Sequence, residues 1–353
     1  MSEMNPQSIP SHLSAKIANA SLVGAAMVVF IHVWFSGAVG SSGWLAHEFV
    51  SEGLCRWAVP FFFCASGFFL AGHIGSSGWY QLELRKRFQS LLIPYVLWNI
   101  AYWAFMLLLD VGVAVFQGRP VVIQFDPVNV FGLDLSEMPI CFPNWYLRSL
   151  ILLVVLSPVL IVISRRVLPL LTFFLLCAVM HVFFPHTVTW PCLDYLFSPI
   201  AGFWFLVGLN MRGNLPLVER LCNVPRTVSI GSISVAMVTI CGMVFCRLHG
   251  NEVIHKILFI LLVPILVVFL LNVMPSRRMS LTQAAFPIYV LHLFAIQVVE
   301  LGFSAIGLGK GLRGSFAGYL LRGMLCCILV AMFYLAMKRI FKERVRFLFG
   351  GSA

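Results

Sequence analysis

The feature that most constrains this chain is a series of long, continuous apolar runs with almost no charge inside them. A bilayer span needs roughly 17–25 predominantly apolar residues, and runs of that length recur from one end of the chain to the other. In lipid, only helices and closed barrels satisfy every backbone polar group. A barrel strand alternates its two faces over segments of about ten residues. The runs here do not alternate, so helices are expected. Of the 353 residues, 60% are apolar and 10% charged, whereas soluble domains carry roughly 25% charged residues. A water-facing surface cannot be built from that supply.

Ten spans are read, at about residues 17–39, 56–73, 88–109, 145–164, 167–185, 195–211, 227–246, 257–274, 281–301 and 316–337. The predicted fold is an all-α polytopic bundle, a single membrane-embedded domain over 1–353. Within it, 1–16 is a cytoplasmic N-terminal segment and 338–353 a basic cytoplasmic tail. The first apolar run is long enough to span, which argues against a cleaved signal peptide. With the N-terminus inside, sixteen of the 24 lysines and arginines fall in inner segments and seven on the outer side. That bias follows the positive-inside rule and puts both termini in the cytoplasm. The net charge of +11 is therefore assigned to membrane topology, not to nucleic acid. None of the ten cysteines forms a C-x-x-C pair, so no metal site is assigned. Cys141 and Cys192 both fall in outer segments, where two free thiols are preferred over a disulfide.

Ionisable residues inside spans mark functional hypotheses. His32 lies in the outer half of the first span and His292 near the middle of the ninth. Each reads either as a proton-transferring base or as a polar packing residue. His181 is read as structural. Arg322, in the last span, either snorkels or pairs with an acid such as Glu300. Arg85, Lys86 and Arg87 sit on the inner side. They suit the phosphates of a cytoplasmic cofactor, but the positive-inside rule alone also accounts for them. Pro60 and Ser66-Gly67 interrupt the second span, as at a kink or a close helix approach. The long outer connection 110–144 reads equally as a lid or as a solvated connector.

Five segments carry a resemblance. They are Val28-Val29-Phe30-Ile31-His32, Val59-Pro60-Phe61-Phe62-Phe63 with Ser66-Gly67-Phe68, and Arg85-Lys86-Arg87 leading to Leu92-Ile93-Pro94-Tyr95. Asn144-Trp145-Tyr146-Leu147-Arg148-Ser149-Leu150 and Phe286-Pro287-Ile288-Tyr289-Val290-Leu291-His292 complete the set. In this order, nearly end to end, the chain resembles the acyltransferase-3 family of membrane O-acyltransferases. The resemblance implies transfer of an acetyl or other acyl group from acyl-CoA to a hydroxyl of a surface polysaccharide, glycolipid or related sugar, at the cell inner membrane. It implies His32 as catalytic base and a donor site near Arg85, Lys86 and Arg87; His292 is read as helping His32 directly or indirectly. Arg56, Arg148 and Ser66 become candidates for the acceptor side. Many members carry arginine where this chain has Ser21, and an acid where it has Ser149. Either Lys16 supplies the missing charge, or the donor is held differently, or the chain is an inactive acyl-CoA binder. A transporter or flippase is the remaining alternative, disfavoured by the lack of two matching halves.

Overall fold

The computed structural model describes residues 8–120, 123, 125–134, 137–183, 198–342 and 345–349, and Cys192 lies outside them. Among the described residues every regular element is helical. The helices are α1 (Ser11–His32), α2 (Ser42–Glu48), α3 (Ala58–Ala71), α4 (Trp79–Arg87), α5 (Ile93–Gln117), α6 (Pro127–Val130), α7 (Trp145–Val155), α8 (Ser157–Ser164) and α9 (Val167–Phe183). There follow α10 (Pro199–Arg212), α11 (Leu215–Leu221), α12 (Arg226–Leu248), α13 (Glu252–Val273), α14 (Ala285–Ala305), α15 (Gly309–Arg313), α16 (Phe316–Phe341) and α17 (Val345–Leu348).

The helical bundle is as expected, and ten spans are not all found among the described residues. Among the described residues seven helical stretches are long and apolar enough to cross a membrane, and a bent pair makes an eighth. That pair is the predicted fourth span, which turns by 67° between Val155 and Ser157. The cause is local. A proline ring clashes with the carbonyl four residues back and supplies no amide to it. Here Pro158 frees Val154 O, and Ser157 Oγ takes it at 2.7 Å. The fifth and sixth predicted spans appear as α9 and α10, of 17 and 14 residues.

Three boundaries move in ways that matter for function. The first helix ends at His32, with Val33 already extended at φ −71° and ψ 122°, so the expected continuation to residue 39 is absent. Arg56 lies inside one helical stretch, Ser42–Ala71, not at the head of a span. The basic cluster Arg85-Lys86-Arg87 is helical too. It belongs to α4, which runs through a π-helical turn at Phe88–Leu92 into α5. Such turns frequently sit at functional sites.

Packing inverts the pattern of a soluble protein. Leu168, Leu171, Leu175, Val238, Ile328 and Met332 point outward and are exposed, while Asn19, Asn99, Arg148, His292 and Arg322 are buried. Lipid accepts the first set, and the interior must hydrogen-bond the second. α3 and α10 make the closest helix contact, through Gly67 and Gly208. A methyl at either would run into the facing backbone carbonyl, of Phe205 or Cys64 respectively. Small residues of this kind let membrane helices approach, as expected for Ser66-Gly67. α14 packs against α1, α5 and α16. The residues around His292 are therefore in the core.

Candidate active site

His32 is the last residue of α1, and α14 brings His292 beside it. The two imidazoles stack with centroids 5.1 Å apart and planes 14° from parallel. Phe142, from the outer connection, stands edge-on to His32 at 4.8 Å. His292 has no exposed surface. Its Nδ1 lies 2.5 Å from Tyr289 O. A carbonyl only accepts, so Nδ1 must carry the proton. Nε2 is then a lone-pair acceptor, buried and without a hydrogen-bond partner. One imidazole is thus locked in a single tautomer, with its free nitrogen held in the protein interior beside a second imidazole. A lone-pair nitrogen held in this way can accept a proton from a hydroxyl placed against it.

The walls around the pair come from the recognised segments. Tyr289 donates its hydroxyl to Pro143 O at 2.5 Å and meets the Tyr146 ring at 5.4 Å. Tyr146 in turn packs on Phe63 at 4.6 Å, with its hydroxyl in hydrogen-bonding range of Ser66. A line of rings therefore leads through the bundle from Phe63, past Tyr146 and Tyr289, to His292 and His32.

Arg56 is also within electrostatic reach of His32. Its guanidinium is paired with Glu52, one turn earlier, Nε to Oε2 at 3.0 Å and Nη2 to Oε1. Arg148 is 5% exposed and donates to Asp134 O at 2.7 Å and Glu137 O at 2.9 Å. It fastens the outer connection from below. Asn99 and Tyr95 of α5 do the same. Asn99 Oδ1 accepts from Cys141 N at 3.2 Å and Asn144 Nδ2 at 3.3 Å, and Tyr95 OH donates to Gly132 O at 2.6 Å. The sequence reading did not single out Asn99 or Phe142. A lone amide in an apolar run was the available signal for Asn99; Phe142 offered none.

Of the expected donor cations, Arg85, Lys86 and Arg87 sit together on α4, and Lys16 is on α1. Lys16 is buried and donates to Cys222 O at 2.7 Å. Arg87 Nε bonds Glu83 Oε1 at 2.7 Å, and His73 lies 3.4 Å from the same carboxylate. Arg85 and Lys86 are exposed on α4. On the basic side, a cavity of about 400 Å³ opens beside the N-terminal half of α1, lined by Ser14, Ser21, Phe69, Arg278, Thr282 and Gln283 among others. Ser21 returns its hydroxyl to Ile17 O of its own helix at 2.9 Å. Asn19 fixes the wall that carries Arg278, accepting from Met279 N at 2.9 Å and donating to Pro275 O and Arg277 O, also at 2.9 Å.

Comparison with known proteins gives the family. The chain is 24% identical, over 250 residues, to the succinoglycan biosynthesis protein ExoH of Rhizobium meliloti (strain 1021). The match spans 67% of this chain and 64% of that relative's length, so just under two thirds of the relative is covered. No solved structure matches the chain. The family model described as "Acyltransferase domain" matches residues 22–348, and the histidine pair, the tyrosines that wall it and the basic helix α4 all lie within that range. The chain belongs to the acyltransferase-3 family.

Proposed function

We propose that this protein transfers an acyl group from acyl-CoA, acetyl-CoA first among the candidates, to a hydroxyl of a surface polysaccharide, glycolipid or related sugar. It does so as a multi-pass protein of the cell inner membrane. The stacked His32–His292 pair carries the proposal, because acyl transfer to a hydroxyl needs a base held in a water-poor setting. The relative named for succinoglycan biosynthesis supports a glycan as acceptor.

The reaction needs donor and acceptor to meet at His32. The cavity on the basic side reaches Ser21, eleven residues before His32 on the same helix, a distance of about 16 Å. Arg278 lines the same cavity and supplies the cation that α1 lacks there. With the donor's phosphates at Arg278, its acyl end extends along the bundle toward the histidines. His32 takes the proton of the acceptor hydroxyl. The acceptor oxygen bonds to the acyl carbon, the carbon–sulfur bond breaks, and the CoA thiolate leaves and is protonated. Arg56 and the outer connection flank the acceptor side.

The test is transfer of label from radiolabelled acetyl-CoA to envelope glycans, in membranes holding wild type or His32→Ala. Label with wild type and none with the variant is expected. Equal labelling by both, at equal expression, would overturn the assignment of His32.

A further inference from the structure

An α-helix leaves its last four carbonyls without intrahelical donors. α1 ends at His32, so the support of that end fixes where the imidazole sits. Only part of the support is its own: Val33 N donates to Val29 O at 3.1 Å. The rest comes from α16 and its neighbours. Tyr319 OH donates to Phe30 O at 2.9 Å. Arg322 Nη2 donates to Trp34 O at 2.7 Å. Ser36 N reaches Arg313 O at 2.9 Å.

Arg322 is 1% exposed, and a buried guanidinium is tolerable only when it is paired and its donors are used. Its Nε bonds Gly318 O at 3.1 Å, its Nη2 also reaches Leu312 O at 3.3 Å, and its Nη1 pairs with Glu300. Glu300 also accepts from Arg313 Nε at 2.7 Å. The topology of these bonds is what matters. Glu300 lies on α14, about two turns beyond His292, and Trp34 lies two residues beyond His32. One rigid fork is thus tied to both imidazole-bearing segments.

We infer that Arg322, Tyr319 and Glu300 are positioning residues that hold His32 against His292. The inference rests on the role proposed for His32. An ordinary structural ion pair would need no contact with the α1 exit. Here two separate α16 side chains grip the carbonyls on either side of His32, and Gly323 lets α16 come close enough to do so, since a methyl there would strike the Phe30 ring.

Two conservative variants test it in the full-length protein. Tyr319→Phe removes one hydroxyl. Arg322→Lys keeps a charge for Glu300 but cannot form the fork. Both are expected to purify as monodisperse protein, to show faster hydrogen–deuterium exchange over residues 33–36, and to lose roughly ten- to hundredfold in kcat with little change in KM for acetyl-CoA. The double variant Glu300→Gln/Arg322→Met removes the buried charges together and guards against a simple folding failure; it is expected to show the same two effects. Wild-type exchange at 33–36 in all three would overturn the clamp. Faster exchange with unchanged kcat would overturn its positioning role. Should His32→Ala retain full transfer, the proposed function fails, whereas the exchange measurement still decides the clamp.

Discussion

His292 presents an unpartnered Nε2 inside the protein while its ring lies 5.1 Å from that of His32, close to parallel. The two residues are unequal in this arrangement. His292 has its other nitrogen bound to a backbone carbonyl of its own helix, whereas His32 stands at a helix end, beneath the roof formed by Phe142.

That asymmetry predicts unequal losses. His32→Ala is expected to lower kcat by about 10²–10⁴-fold, the usual range for removing a general base. His292→Ala is expected to cost less, on the order of tenfold, if it assists through its neighbour. Single-turnover transfer from acetyl-CoA measures both. A larger loss at His292 than at His32 would reverse the roles.

Donor binding at the cavity lined by Ser21 and Arg278, as proposed, predicts a charge exchange. Arg278→Ala is expected to raise KM for acetyl-CoA by roughly tenfold or more, because a charge-assisted hydrogen bond contributes about 1.5–3 kcal/mol. kcat should change little. Adding Ser21→Arg returns a guanidinium to the lining of the same cavity, and the double variant is expected to recover part of the lost affinity. If Arg278→Ala leaves KM unchanged, the phosphates bind elsewhere.

Cys141 reports on the outer connection. Burial pushes its thiol up to about 12, and the thiolate is the reactive form. In the native protein it should stay protonated and inert to a membrane-impermeant maleimide at pH 8. Asn99→Ala removes the acceptor of the Cys141 amide and is expected to open the site, so that peptide mass spectrometry finds Cys141 alkylated. Continued protection would mean that Arg148 and Tyr95 hold the connection without Asn99.

The α3–α10 contact predicts a folding defect. Gly67→Ala adds a methyl against Phe205 O, a backbone atom that cannot rotate away. A cost of about 1–3 kcal/mol is expected from overpacking of this kind. Fluorescence-detected size exclusion should show less monodisperse protein, and Ser66→Ala, next to it, should be milder.

By itself the sequence determined the solvent and the fold class, because length and apolar content decide whether a helix can lie in lipid, and neither depends on distant partners. It also gave the residues of the family pattern, among them His32, His292 and Tyr289. Boundaries were less legible. The break after His32 depends on α16 capping Phe30 and Trp34 from almost 300 positions away, and no local signal encodes that. The basic cluster was visible, yet its helical state and the Arg87–Glu83 pair were not. Arg148 shows the same limit: its charge was visible in the sequence, whereas its bonds to Asp134 O and Glu137 O were not. Composition fixes what a segment can dissolve in. Only the tertiary structure decides which buried donor meets which acceptor, since those bonds join elements that the chain itself keeps far apart.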